Sequence, residues 1–221
     1  MHGFTGSVRS FAHLRVDAVT PELPGHGAAA DATSWEHALR SLAPLLDPGP
    51  VVLGGYSMGG RLALALALRH PEKIARLVLA GATAGIEDPS DRAQRKLDDD
   101  ALADFIEQRG VAAFVRRWEE HPTLDSLNPW ADRLRPERLA HRASGLASAL
   151  RHLGAGAQPS YWSELAGLQA PVRILAGARD AKFAGIALAL QRRLPHSDPR
   201  ILDCGHAPHL EQPQVFLAAL R

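Results

Sequence analysis

The stretch Gly54-Gly55-Tyr56-Ser57-Met58-Gly59-Gly60 decides the fold, because an apolar run precedes it and a helix-forming run follows it. Val51-Val52-Leu53 is typical of a buried strand, and Leu62 to Leu68 is typical of a buried helix. The inner five residues match the pattern Gly-x-Ser-x-Gly, in which small neighbours let a strand turn sharply into a helix. This pattern predicts that Ser57 is a nucleophile or a base. The alternative is an ordinary turn of an α/β protein, since glycine and serine are common there.

A serine hydroxyl reacts at neutral pH only when a histidine takes its proton and an acid orients that histidine. On this scaffold the expected chain order is Ser, acid, His. The strand-like run Pro171 to Gly177 leads into a loop with Asp180, and a second strand-like run leads to His206. Because catalytic groups of open α/β sheets lie at the carboxyl ends of strands, Asp180 and His206 are predicted to complete a triad. Asp203 is the rival acid, and its place within the strand pattern favours a structural role.

The beginning of the chain, His2-Gly3-Phe4-Thr5-Gly6, is a glycine-rich loop of the kind that presents backbone amides. A developing oxyanion needs such preorganised N–H donors, and removing one costs about 10²–10³ in rate. The backbone amides of Phe4 and Met58 are the predicted donors. Leu23 to Gly27, after a strand-like run from Leu14 to Val19, is expected on the rim of the same site.

Five segments along the chain match a single known pattern, and together they span nearly the whole chain. They are His2 to Ser7, Leu23 to Gly27, Gly55 to Arg61, Arg179 to Phe183 and Gly205 to His209. Arg61 after the serine turn and the Arg-Asp-x-Lys-Phe segment are the more restrictive of these matches. In these segments the chain resembles the 2-succinyl-6-hydroxy-2,4-cyclohexadiene-1-carboxylate synthases of menaquinone biosynthesis, an enzyme family with the α/β-hydrolase fold.

The composition changes between about Gly85 and Glu164, where strand-like runs stop and Arg, Ala, Leu and Asp recur with helical spacing. This predicts a helical cap over residues 85–164, inserted into an α/β core of residues 1–84 and 165–221. Together with the resemblance, it predicts an α/β-hydrolase fold with a mostly parallel sheet flanked by helices.

The resemblance implies substrate contacts from both the core and the cap. Arg61 lies one helical turn after Ser57 and therefore shares its face of the helix. Arg95 and Arg142 fall where the family places further carboxylate contacts on its cap, and a guanidinium matches a carboxylate in charge and geometry. For each arginine, a solvated position on a helix is the alternative. The implied pocket-lining residues are Tyr56 and Trp118.

The reaction that the resemblance implies is an elimination. The family's substrate, 2-succinyl-5-enolpyruvyl-6-hydroxy-3-cyclohexene-1-carboxylate, carries several carboxylates and loses pyruvate when a ring proton is removed. Ser57, activated by His206 and Asp180, is then expected to act as a base, and no cofactor is expected. One alternative is a serine hydrolase of small anionic esters or carbon–carbon bonds, which needs the same triad. Another is a non-catalytic ligand-binding protein, against which the joint presence of the three triad residues argues.

Length and composition are typical of a single enzyme domain of 221 residues. The 25 Lys and Arg against 24 Asp and Glu argue against nucleic-acid binding through bulk charge. The single cysteine, Cys204, is typical of a reducing compartment. The apolar run at 62–68 is far shorter than the roughly 20 residues that cross a bilayer. These features lead us to expect a cytoplasmic protein without nucleic acid, membrane or metal. The resemblance implies that it binds a small polycarboxylate, and we expect a monomer or weak homo-oligomer.

The start of the chain departs from the family pattern, because only Met1 precedes His2. In this fold the strand that leads into the oxyanion loop lies inside the sheet, and unpaired backbone groups there are costly. We therefore expect N-terminal strands to be missing from this chain. The alternative is that the sheet closes over the gap and Phe4 does not supply an oxyanion donor.

Overall fold

A computed structural model describes residues 1–122 and 124–221 of the chain. Within them, four parallel strands form one sheet and lie side by side in chain order. Because the strands are parallel, their carboxyl ends all meet at the same edge of the sheet, where ligand sites of such sheets form. The strands are β1 (Val51–Tyr56), β2 (Ile74–Ala80), β3 (Val172–Gly177) and β4 (Ser197–Leu202).

Helices pack against the sheet and fill the long connection between β2 and β3, so the predicted α/β class is confirmed. No helix of the described residues is long and apolar enough to span a membrane. Short 3-10 segments span Ala12–Leu14, Ala43–Leu46, Pro71–Lys73, Pro122–Trp130 and Leu165–Gly167. The α-helices are α1 (Trp35–Leu42), α2 (Met58–Arg69), α3 (Pro89–Glu119), α4 (Ala131–Leu139), α5 (Ala143–Leu153), α6 (Ala181–Gln191), α7 (Pro208–Glu211) and α8 (Pro213–Leu220).

The helix that follows the serine turn, α2, lies in the main hydrophobic core. Leu62, Leu64 and Leu66 are at most 1% exposed, because α2 packs against β1, β2 and α1. Burial of one leucine side chain contributes about 1.5–3 kcal/mol. The predicted buried helix is therefore present, and it gives the serine turn a rigid support.

The connection between β2 and β3 contains α3, α4 and α5, and we call residues 85–164 the cap. Its own apolar cluster joins α3 to α5. At Gly110 the backbone has φ 76° and ψ 166°, so α3 is two helices that meet at a kink. The boundaries of the cap stay a prediction. The buried residues of its cluster are Ala103, Ile106, Phe114, Val115, Leu146, Ala147 and Leu150.

The predicted strand from Leu14 to Val19 is wrong. Ala12–Leu14 forms a 3-10 turn, and residues 15–20 have no regular secondary structure. Arg15 has a positive φ of 49°, which interrupts an extended run. An apolar pattern forms a strand only where a neighbouring strand pairs with its backbone, and in the described structure residues 15–20 pair with no strand.

Candidate active site

Ser57 lies at the sharp turn between β1 and α2, with φ 51° and ψ −114°. A non-glycine residue rarely adopts a positive φ, so this turn is strained. A Cβ atom at Gly55 would overlap the backbone of Gly59, and one at Gly59 would overlap the backbone oxygen of His2. The backbone therefore passes too close to Gly55 and Gly59 for a side chain at either position, which explains why the pattern has glycine on both sides of the serine.

Ser57, His206 and Asp180 meet at the carboxyl edge of the sheet, after β1, β4 and β3 respectively. The His206 Nε2 atom lies 3.3 Å from Ser57 Oγ, and His206 Nδ1 lies 2.7 Å from Asp180 Oδ2. Because Nδ1 donates to the carboxylate, Nε2 of the neutral ring is free to accept the serine proton. The geometry is that of a serine activated by a histidine–aspartate pair.

Asp180 also caps the N-terminus of α6, where its Oδ1 accepts from the amide of Phe183 at 3.3 Å. Burial acts to raise the pKa of Asp180, but hydrogen bonds from His206 and Phe183 and the charges of His206 and Lys182 hold it below its ordinary value. Asp180 is therefore ionised at neutral pH. The rival acid, Asp203, pairs with Arg179 at 2.8 Å and has a largely exposed carboxylate.

The loop at residues 2–6 crosses the site beside Ser57. The amide of Gly6 donates to the carbonyl of Gly3 at 3.0 Å, which closes a tight turn with Phe4 and Thr5 at its centre. Neither the Phe4 amide nor the Met58 amide has a hydrogen-bond acceptor among the described residues. Met58 is the first residue of α2, where helix geometry leaves the N–H group free. Phe4 and Met58 line the same cavity as Ser57.

This cavity has a volume of about 690 Å³ and lies between the core and the cap. Five basic side chains and three acidic ones line it, counted over the described residues, so its wall has an excess of positive charge. Such a wall favours an anionic ligand. The basic residues are Arg61, Arg95, Arg117, Arg138 and Lys182, the acidic ones are Asp98, Asp99 and Glu137, and the large aromatic ones are Phe4, Tyr56, Phe114 and Trp118.

Arg61 is buried in α2 at 7% exposure and faces this cavity. Its Nη1 donates to the carbonyl of Gly154 and to Gln158 Oε1, each at 3.3 Å. Within the described part of the chain it forms no ion pair with a carboxylate. Burial and the charge of Arg95 lower the pKa of Arg61 to about 10, although the charge of Asp99 opposes them, so the guanidinium stays charged at neutral pH. A buried charge without a carboxylate partner indicates a place for an anion.

The cap arginines differ in their surroundings. Arg95 lines the cavity and pairs with the buried Asp99 at 2.9 Å. Arg142 does not line it, because its Nη2 donates to a backbone carbonyl of the loop at residue 29 at 2.7 Å and its Nη1 pairs with Asp31 at 2.8 Å. The position of Arg142 therefore does not support the substrate contact that the resemblance implies for it.

Sequence reasoning missed Arg138, which is 6% exposed, lines the cavity and pairs with Glu119 at 3.1 Å. It lies in α4, a polar helix with several charged residues. No periodic pattern distinguishes Arg138 from its neighbours there, so only the packing of α4 reveals it. The two expected pocket residues, Tyr56 and Trp118, do line the cavity. Burial raises the pKa of Tyr56, which is neutral at physiological pH.

A family model described as "Alpha/beta hydrolase family" matches residues 1–219. A Bacillus subtilis (strain 168) protein, provisionally named 2-succinyl-6-hydroxy-2,4-cyclohexadiene-1-carboxylate synthase, is 36% identical over 98% of this chain and 85% of its own length. The chain belongs to the alpha/beta hydrolase family, in the group of these synthases. The synthase of Klebsiella pneumoniae is 30% identical over all of this chain and 90% of its own length.

Solved structures of α/β hydrolases agree with this assignment. The structure of MenH from S. aureus has a TM-score of 0.90 and 31% identity, with 99% of this chain and 89% of that chain covered. A thermophilic esterase from Thermogutta terrifontis, solved with malate bound, has a TM-score of 0.82 and 25% identity. The comparison covers 100% of this chain and 86% of the esterase. Both synthases and esterases therefore share this fold.

Proposed function

We propose that the protein is a lyase of menaquinone biosynthesis that eliminates pyruvate from 2-succinyl-5-enolpyruvyl-6-hydroxy-3-cyclohexene-1-carboxylate. The observation that carries the proposal is Arg61, a buried cation without a carboxylate partner among the described residues, one helical turn from Ser57. A carboxylate of the substrate would supply the missing charge beside the reactive serine. The relatives named as synthases of the corresponding product support the same reaction.

The substrate and product names define the bonds that change. The proton on ring carbon 2, next to the succinyl ketone, is removed, and a double bond forms between carbons 2 and 3. The existing double bond shifts to carbons 4 and 5, and the bond from carbon 5 to the enolpyruvyl oxygen breaks. Ser57 Oγ takes the ring proton while its own proton passes to His206 Nε2, 3.3 Å away. The histidine returns a proton to the departing enolpyruvate, which becomes pyruvate.

Negative charge develops on the succinyl ketone oxygen as the ring proton leaves. The amides of Phe4 and Met58, two residues that line the cavity next to Ser57, are the proposed donors to this oxygen. Asp180, ionised and 2.7 Å from His206 Nδ1, stabilises the histidine while it carries the extra proton. The chain's own groups thus account for every proton and charge, and the proposed reaction uses no cofactor.

The proposed carboxylate contacts come from both walls of the cavity. Arg61 provides the contact from the core, and Arg95 and Arg138 provide contacts from the cap. The charges of these two cap arginines are partly neutralised by Asp99 and Glu119, so their contribution to binding is smaller than that of Arg61. The proposed apolar contacts are Tyr56 and Trp118.

The test is incubation of the purified chain with the enolpyruvyl substrate while released pyruvate is reduced by lactate dehydrogenase and NADH. We expect steady turnover that requires Ser57. The absence of pyruvate release from a folded protein, or equal release by Ser57→Ala, would overturn the proposal.

A serine hydrolase is the second candidate, because the same three residues can instead form and cleave an acyl-enzyme. The contact of Ser57 Oγ with His206 favours it, and so does the likeness to an esterase structure. Mass spectrometry separates the two functions. A stoichiometric acyl adduct on Ser57 formed from the enolpyruvyl substrate would favour the hydrolase, whereas turnover without any adduct favours the lyase.

We also propose that the protein works in the cytoplasm as a monomer or weak homo-oligomer. The buried free thiol of Cys204 supports a reducing compartment. Light scattering after gel filtration at micromolar concentration would show a mass near 23.8 kDa if the monomer dominates.

A further inference from the structure

Three buried histidines that the proposed mechanism does not use lie within and behind the loop at residues 2–6. His2 and His26 are fully buried, and His141 is 6% exposed. The ring centroids of His2 and His26 are 4.9 Å apart, and those of His26 and His141 are 5.3 Å apart. His141 belongs to the cap, whereas the other two belong to loops of the core. The group therefore joins the two parts of the molecule directly behind the proposed oxyanion site.

The loop that these histidines contact contains a strained residue, Thr5, with φ 65°. The turn closed by the Gly6 amide and the Gly3 carbonyl places Thr5 where glycine is preferred. Threonine is β-branched, and a positive φ is strongly disfavoured for such side chains. Strained positions persist only where the surrounding structure holds them.

Two of the histidines hold both sides of this strained residue. The Thr5 amide donates to His26 Nε2 at 3.3 Å, and His141 Nε2 donates to the Thr5 carbonyl at 3.1 Å. The other nitrogen of each ring, Nδ1, also forms a hydrogen bond, and this bond fixes the tautomer. His26 Nδ1 donates to the Pro24 carbonyl at 3.2 Å, and His141 Nδ1 accepts from the Gly27 amide at 3.1 Å. Each ring is thus neutral, with one donor and one acceptor.

The electrostatic surroundings agree with neutral rings. Burial lowers the pKa of His26 well below its ordinary value, and the positive charge that His2 or His141 would carry when protonated acts in the same direction. Burial also lowers the pKa of His141, although hydrogen bonds to the loop and the charges of Glu22 and Glu137 oppose it. A protonated His141 could not accept from Gly27.

A further contact ties the same loop to the cap. Ser7 Oγ donates to Glu137 Oε2 at 2.8 Å, one residue after the turn that contains Thr5. The cap therefore hydrogen-bonds to this segment through Glu137 and through His141, in addition to the packing of Phe114 and Trp118 against Phe4. Movement of the cap away from the core would release both contacts and leave the strained Thr5 held on one side only.

We propose that His141 is a positioning residue that, with His26, clamps Thr5 in its left-handed conformation and so aligns the Phe4 amide with the reacting oxyanion. The inference rests on the proposed function for the role of the Phe4 amide. His141 belongs to the cap. The proposed oxyanion site is therefore complete only when the cap lies against the loop at residues 2–6.

Three substitutions at His141 separate its two hydrogen bonds. Glutamine places an amide donor near the position of Nε2 and retains the bond to Thr5, whereas asparagine places an acceptor near Nδ1 and retains the bond to Gly27. Phenylalanine retains neither. We expect His141→Phe and His141→Asn to lower kcat by about 10–100-fold, because misplacing a catalytic group by about 1 Å costs that much. We expect His141→Gln to stay within about threefold of the wild type, and KM to change by less than about threefold in all variants that fold.

A double substitution tests whether His141 acts through Thr5. Glycine adopts the left-handed conformation without strain, so Thr5→Gly should reduce the effect of His141→Phe on kcat to less than about fivefold. If the effects of the two substitutions on kcat multiply independently, the clamp is refuted. Equal kcat values for the glutamine and asparagine variants would refute it as well.

Hydrogen–deuterium exchange of the segment at residues 2–7 provides a measurement that does not depend on any reaction. Exchange should be faster in His141→Phe and unchanged in His196→Phe, which alters an exposed histidine before β4, at the opposite end of the sheet. Unchanged exchange in His141→Phe would overturn the inference. Failure of the wild type to release pyruvate, combined with faster exchange, would instead overturn only the proposed function.

Discussion

The two walls of the cavity are built by different means. On the core side, Ser57, Asp180 and His206 each follow a strand, and Arg61 lies within a buried helix. On the cap side, Arg95 and Arg138 are held by ion pairs with Asp99 and Glu119. Backbone elements therefore fix the triad and Arg61, whereas side-chain pairs fix the arginines of the cap. The difference indicates that the chemistry and the main carboxylate contact depend on the core, and that the cap adds weaker contacts to the substrate.

The largest effect is expected from Ser57→Ala on the core side. Loss of a positioned base costs about 10²–10⁴ in rate, so pyruvate release should fall by that factor with little change in melting temperature. Coupled pyruvate detection measures the loss of activity, and calorimetry on the same preparation measures the melting temperature. Retention of more than about a tenth of the activity would contradict the role of Ser57 and the proposed division of labour.

Arg61→Ala should have the next largest effect, because Arg61 is the buried cation closest in sequence to the serine. Loss of a charge-assisted contact of about 1.5–3 kcal/mol lowers kcat/KM for the anionic substrate by about 10–100-fold. Hydrolysis of a neutral ester, if present, should change much less. Equal losses on both substrates would contradict carboxylate binding.

Arg69→Ala is the matched control for Arg61, since Arg69 is the last residue of the same helix and forms an exposed pair with Glu36. Exposed pairs contribute about 0–1 kcal/mol. This variant should therefore leave kcat/KM unchanged and lower the free energy of unfolding only slightly.

The core side could be predicted from the sequence because its positions follow from local rules. The Gly-x-Ser-x-Gly turn requires small residues beside Ser57, and strand ends bring Asp180 and His206 to one edge of the sheet. The roles of these residues stay predictions. The strand predicted from Leu14 to Val19 failed because a local apolar pattern does not reveal whether another strand pairs with it.

The cap side could not be predicted in the same way, because the orientation of an arginine side chain in or beside a helix depends on tertiary packing. Arg138 and Arg142 are four residues apart in sequence, and nothing in their local sequence distinguishes them. Arg138 faces the cavity, whereas Arg142 pairs with Asp31 on the outside. Likewise, only the fold shows that His141 and Thr5, far apart in the chain, share a hydrogen bond.

Arg138→Ala should have a moderate effect, mainly on KM, because Glu119 already neutralises part of the charge of Arg138. We expect KM to rise by about three- to tenfold with kcat within about twofold, as for a contact that acts equally on substrate and transition state. Arg135→Ala is the matched control, since Arg135 pairs with the same Glu119 at 2.7 Å and is half exposed. If Arg135→Ala raises KM equally, the effect arises from Glu119 and not from a substrate contact.

The smallest effect is expected from Arg142→Ala. The Arg142–Asp31 pair is exposed on both sides, and surface substitutions of this kind usually change free energies by less than about 0.5 kcal/mol. We therefore expect kcat/KM within about twofold of the wild type, measured beside Arg138→Ala under the same conditions. A loss of tenfold or more would mean that the cap rearranges when substrate binds, so that Arg142 leaves Asp31 and turns into the cavity. In that case the cap side of the cavity would form only in the complex, whereas the core side is formed in advance.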